Sequence, residues 1–98
     1  MSKGYVIVQV SDISDHDAYA VYRDLAGKAV EAHGGKFIVR GGKAERIEGE
    51  GDPGRVVVIE FPSVDAAKGW YASAQYQDAL AIRLANSTGT LMIVEGAE

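Results

Sequence analysis

The sequence contains no cysteine, which excludes disulfides, a thiol nucleophile, zinc ribbons and iron–sulfur ligation. Its 2 histidines are not spaced as a ligand pair, so no structural metal is expected. Basic charge is short as well. Ten Lys and Arg against 14 Asp and Glu leave a net charge of −4, with no global positive field for nucleic acid or anionic lipid. Long apolar runs are missing: the stretch from Tyr5 to Val10 is interrupted at Gln9, too short for a signal-peptide core or a membrane span. The expected protein is cytoplasmic, with neither nucleic acid nor membrane as partner.

What is present is a chain of 98 residues, enough for a single domain over 1–98 and too few for two. Tyr5 to Val10 is rich in β-branched residues and predicts a first strand. Ser14 and Asp17 have capping-box spacing. Ala18, Val21, Tyr22, Leu25, Ala29 and Ala32 then recur at helical spacing until His33-Gly34-Gly35 supplies a stop. Lys36 to Arg40 predicts a second strand, kinked at Gly41-Gly42 as by a β-bulge and resumed through Ile47. Gly49 to Gly54 reads as a turn and Arg55 to Phe61 as the clearest strand. Ser63 is expected to cap a short helix through Tyr71. Ser73 caps another over Ala74 to Ala85, with Tyr76, Leu80, Arg83 and Leu84 near one face. Thr90 to Val94 closes the chain as the last strand. The order βαββαβ predicts an α+β, ferredoxin-like antiparallel sheet with helices on one face and strand order 4-1-3-2. The first and third strands are expected to run parallel.

A half-buried strand should alternate apolar and polar residues. Here Val56 and Val58 stand opposite Val57, Ile59 and Phe61, and Val6, Val8 and Val10 stand opposite Tyr5 and Ile7. Helices on one side cannot cover both faces. At about 25 cal/mol per Å² of apolar area, leaving a whole face in water forgoes many kcal/mol. A homodimer pairing its two sheets resolves this.

Alternation also places Gln9, Arg40 and Glu60 on like faces of their strands, and with the first and third strands parallel they are expected to converge at one end of that apolar surface. Such placement suits a small-molecule pocket. Arg40 would anchor a carboxylate or enolate oxygen, with Glu60 or His33 as the catalytic base. Tyr71 and Tyr76 would point hydroxyls into the cleft and Arg83 would add charge. The competing reading is structural: Arg40 and Glu60 form a cross-strand ion pair bounding the dimer interface, and Trp70 fills the core. Gly49-Glu-Gly-Asp-Pro-Gly54 satisfies the dinucleotide pattern but leads into a strand rather than a helix, and its acids would repel phosphate. Asp12, Asp15, His16 and Asp17 fail as a calcium loop, because Asp17 stands where that loop needs glycine.

Several motifs together resemble a small bacterial family catalogued as domain of unknown function thirteen-thirty, within the dimeric α/β-barrel superfamily. They are Tyr19 with Tyr22, Gly34-Gly35, Arg40-Gly41-Gly42, Glu48-Gly49, and the run from Arg55 to Ser63. Trp70-Tyr71-Ala-Ser73 with Tyr76-Gln77, Arg83 and Val94-Glu95-Gly96 complete the set. The resemblance runs nearly end to end. It implies a ferredoxin-like protomer and a dimer whose sheets form a barrel, and no settled activity. The wider superfamily includes cofactor-free monooxygenases, lactone isomerases and haem enzymes, but no catalytic motif of theirs is matched and no proximal haem histidine is identifiable, His33 being left open. The sequence thus leads to a homodimer binding a small anionic or carbonyl-bearing molecule, with no cofactor expected and isomerisation or oxygenation as candidate chemistry. The alternative is a noncatalytic interaction module.

Overall fold

The computed structural model describes residues 2–98. Its elements are β1 (Gly4–Ile13), α1 (His16–Ala32), β2 (Lys36–Lys43), β3 (Arg55–Phe61), α2 (Val64–Ala72), α3 (Ala74–Asn86) and β4 (Ser87–Glu95). The four strands form one sheet in the order β2-β3-β1-β4, every neighbouring pair antiparallel. The ferredoxin-like α+β architecture is therefore as expected. The expected parallel pairing of the first and third strands is not. Each helical crossover skips one strand, so β1 shares its direction with β2, and β3 with β4. The β2–β3 hairpin then turns β3 against β1.

Local chemistry explains the element ends. Asp15, not Ser14, caps α1: its carboxylate accepts from the Ala18 N–H at 3.1 Å. The Ser14 N–H instead donates to the Asn86 carbonyl at 2.8 Å, tying the start of α1 to the end of α3. Ser63 caps α2 through Ala66, and Ser73 caps α3 through Tyr76, both as the sequence predicts. The second strand stops at Lys43, short of the expected Ile47, because its partner begins at Arg55 and offers nothing further to pair with. Ile47 is 82% exposed in the loop that follows.

All three helices bury against one side of the sheet. Val6, Val8 and Val10 of β1 and Ile59 and Phe61 of β3 meet Tyr19, Tyr22, Ala26, Ala29 and Val30 of α1, with Trp70, Tyr76 and Leu80 from the other helices. The buried stripe of α1 is rotated from the expected one, leaving Val21 53% exposed; Leu84 on α3 is likewise 65% exposed. On the other side Met92, Ile7, Val58 and Val39 lie in one row across the sheet, fixed by the registers Ile7↔Met92, Ile7↔Val58 and Val39↔Val58. Met92 and Val39 are exposed, and no helix covers this row. No helix among the described residues is long and apolar enough to cross a membrane.

The hairpin turn before β3 ends at Gly54, whose φ of +68° lies in the left-handed region, and a Cβ there would run into the Val10 carbonyl oxygen. Gly54→Ala is expected to lower stability by about 2 kcal/mol. The check is a lower denaturation midpoint at unchanged m value. An unchanged midpoint would mean that the loop shifts freely away from β1.

Candidate functional site

A cavity of about 230 Å³ opens between α1 and the sheet. Its floor is apolar: Val8 and Val10 from β1, Val57 and Ile59 from β3, and Trp70 from α2. Tyr19, Tyr22 and Ala26 of α1 form one wall and Phe37 of β2 another. Three exposed arginines line the solvent side: Arg23 on α1, Arg40 on β2 and Arg55 at the start of β3.

Arg40 reaches this cavity because β2 carries two register shifts. The first, between Phe37 and Val39, makes Val39 face Val58 on the open side; Arg40 then pairs with Val57 and turns to the helix side. The second, between Arg40 and Gly42, holds Gly41 at φ +73° and is the kink the sequence suggested. The guanidinium of Arg40 lies 4.3 Å from the centre of the Phe37 ring. It also lies against α1 at Gly27, where a Cβ would approach its Nη2 to 3.3 Å. Gly27 weakens the helix interior and leaves the space that the guanidinium occupies.

Every polar side chain lining the cavity is a hydrogen-bond donor or a cation at neutral pH. Burial pushes the Tyr22 phenol far above its usual range, with Tyr76 beside it adding to the shift. Burial also raises Tyr76, partly offset by its hydrogen bond to Tyr22 and by Arg83. Tyr19 is raised by burial and pulled back by Arg83, Arg23 and Arg55. These phenols stay protonated at pH 7 and cannot act as bases. The two buried hydroxyls of Tyr22 and Tyr76 lie 3.0 Å apart and share one hydrogen bond between α1 and α3. The Trp70 indole N–H is buried without a partner. No carboxylate or imidazole lines the cavity. Among the described residues the ion pairs are Lys3–Glu60 and Lys28–Asp24, so the three arginines have no carboxylate within 4.0 Å. Nor do those residues bring three His, Asp or Glu together as a metal site.

The convergence of Gln9, Arg40 and Glu60 expected from the sequence does not occur. Gln9 pairs with Val56 at one end of the open face, and Glu60 pairs with Tyr5 at the other. Glu60 bonds the Lys3 ammonium at 3.0 Å, and this hydrogen bond and its charge hold Lys3 protonated above its ordinary range. His33 closes α1, its Nδ1–H donating to the Ala29 carbonyl at 2.8 Å, and does not line the cavity. Tyr76 is fully buried behind Tyr22. Tyr71 packs on Tyr76 with ring centres 5.4 Å apart, and with Arg83 it lines a separate shallow depression beside Leu91 and Ile93. Of the residues nominated from the sequence, only Arg40 lines the cavity. Tyr19, Arg23, Phe37 and Arg55 were missed. The available signal was in α1, where Ala26 and Gly27 follow two tyrosines: small residues on an inward face leave room beside the sheet.

The tyrosine pair gives a direct test of the packing behind the cavity. Tyr22→Phe leaves the Tyr76 hydroxyl buried and unpaired and is expected to cost about 1–3 kcal/mol. The double replacement with Tyr76→Phe removes both polar groups and should cost clearly less than the two single changes summed. Urea denaturation of the four proteins in the cycle measures this; strict additivity would show that the hydroxyls do not depend on each other.

Comparison with solved structures supports the fold. A protein of unknown function from Rhodopseudomonas palustris, RPA0582, superposes with a TM-score of 0.78 at 22% identity, covering 99% of this chain and 84% of that one. SnoaB, a cofactor-independent oxygenase from Streptomyces nogalater, superposes with a TM-score of 0.64 at 12% identity over 99% of this chain and 93% of its own. A dimeric ferredoxin-like protein of unknown function from Thermobifida fusca gives 0.61 at 18% identity, over 99% and 92%. No curated protein matches. The family model described as domain of unknown function (DUF1330) matches residues 3–97, and the chain belongs to that family.

Proposed function

We propose that this chain works as a homodimer, paired through the open faces of its sheets, and that each protomer takes a small molecule with an ionisable carbonyl oxygen into the cavity beside α1. The observation that carries this reading is an apolar cavity whose polar side chains are all donors or cations. Such a lining favours negative charge on a bound oxygen, since preorganised donors in a partly dry site stabilise an oxyanion more than water does.

A β-dicarbonyl compound or an acidic phenol fits this arrangement. Arg40, held between Phe37 and α1, binds the ionised oxygen and lowers the ligand's own pKa, so the proton departs to solvent without a protein base. The positions of Glu60 and His33 do not support the base role considered for either. The resulting enolate isomerises when it is protonated at an atom other than the carbon that lost the proton, or its carbon bonds to dioxygen, which is reduced to a hydroperoxide as it takes up a proton from solvent and the carbon is oxidised. SnoaB, a cofactor-independent oxygenase with the same fold, gives the oxygenation route a precedent, although likeness of fold does not by itself carry an activity. Pairing of the sheets covers the row from Met92 to Val39, and a protein of the same fold from Thermobifida fusca is dimeric, which supports a homodimer.

Benzoylacetone tests the site, because its enolate absorbs differently from its neutral form. At a pH below its free pKa, the protein is expected to produce the enolate spectrum, and Arg40→Gln should weaken this binding about tenfold. Equal binding and an unshifted spectrum in both proteins would remove Arg40 from the site and leave it a structural residue. The assembly is tested separately: Ile7→Lys places a charge in the middle of the open face and should convert a dimer to a monomer in sedimentation equilibrium. A monomeric parent protein would overturn the pairing of sheets.

A further inference from the structure

Arg40 accounts for one guanidinium, and the cavity has two more. Arg23 leaves α1 one turn after Tyr19, and its guanidinium carbon lies 5.8 Å from the centre of the Tyr19 ring. Arg55 enters from the first position of β3, with its Nη1 beside Gly41. Both residues line the cavity with Tyr19, and neither has a carboxylate within 4.0 Å. In a chain with net charge −4, cations gathered without acidic partners around one apolar space call for an anion from outside. Asp12 and Asp52 sit in the adjoining depression that Arg55 also borders, yet neither pairs with it; the Asp52 carboxylate instead accepts from the Gly54 N–H at 2.8 Å.

The Tyr19 phenol marks where these cations act. The charges of Arg83, Arg23 and Arg55 all oppose the upward shift that burial imposes on it. Of these three, Arg23 and Arg55 share the cavity lining with Tyr19, whereas Arg83 does not. Arg40 belongs to a different part of the rim, seated between Phe37 and Gly27.

We infer that Arg23, Arg55 and the Tyr19 hydroxyl form a second anion subsite, which takes a fixed carboxylate of the ligand while Arg40 takes its ionisable oxygen. The substrate class is then an apolar keto acid or related compound with two anionic oxygens, its hydrocarbon part resting on Val8, Val57 and Ile59. This deepens the cavity reading given above and rests on it. A dianion gains a second set of charge-assisted hydrogen bonds that a monoanion lacks.

Three probes with a common aromatic body separate the possibilities: benzyl alcohol, phenylacetate and phenylsuccinate, titrated by calorimetry into the intact protein at two salt concentrations. Phenylsuccinate is expected to bind at least tenfold more tightly than phenylacetate, with the advantage shrinking as salt rises. Arg55→Gln and Arg23→Gln should each remove most of that advantage, with a much smaller change for benzyl alcohol, which carries no charge. Tyr19→Phe, which keeps the ring and the packing, should reduce it in the same direction. If all three probes bind equally, or if Arg55→Gln leaves the advantage of phenylsuccinate intact, the second subsite is overturned while the cavity stands. If neither benzyl alcohol nor benzoylacetone binds, the cavity reading falls and takes the subsite with it.

Discussion

Tyr22 and Tyr76 meet between α1 and α3, their rings edge to face 6.3 Å apart and their hydroxyls sharing one hydrogen bond, and the seating of α1 follows from this aromatic contact. The two hydroxyls are buried together, so each satisfies the other where water cannot. Trp70 stacks against Tyr76 with ring centres 4.1 Å apart, and Phe61 against Trp70 at 5.5 Å, so the pair is continuous with the sheet. α2 lies close on β1, whereas α1 packs along α3 and stands off the sheet. That standoff is the cavity. Were α1 free to settle, Ala26 and Gly27 would offer little resistance to its collapse onto Val57. The aromatic pillar behind it keeps the space open.

The same shortage of covering material shapes both sides of the sheet. The chain has three helices and places all of them on one face, where they bury the inward residues of β1 and β3. The other face keeps an apolar row from Met92 to Val39, with Glu60 of the Lys3–Glu60 pair two residues along β3 from Val58. An exposed ion pair of this kind contributes little stability. The two faces thus differ: one encloses a cavity beneath α1, and the other leaves an apolar row without a covering helix.

Much of the fold was legible in the sequence because its signals are local. Arg55 to Phe61 forms the strand its composition indicated, and Ser63 and Ser73 cap the helices that follow them. Strand direction was misread because it follows from the count of crossovers, which no local pattern records. The site was harder still. Alternation assigns Arg40 to the open face, and one extra residue at Ile38 reverses that assignment. Tyr19, Arg23 and Arg55 are far apart in the chain and resemble ordinary helix and strand-end residues until the fold brings them to one rim. The tyrosine pair was half visible: Tyr76 was nominated for a hydroxyl in the cleft, but its partner Tyr22 was read only for its helical spacing and its place in the family's pattern.

The two irregularities in β2 also bear on how this protein can change over time. Substitutions alter a side chain where it stands, but in a strand with a two-residue period a deletion moves every following side chain to the opposite face. At Ile38, though, a loss would only absorb the extra residue: Phe37, Val39 and Arg40 would still stand against Ile59, Val58 and Val57, and the guanidinium would keep to the cavity side. A residue gained between Val39 and Arg40 would instead turn the guanidinium onto the opposite face, with the coding for arginine untouched. The charge in this cavity is therefore specified by chain length as much as by residue identity, and comparisons between relatives need to count residues in this strand before comparing letters.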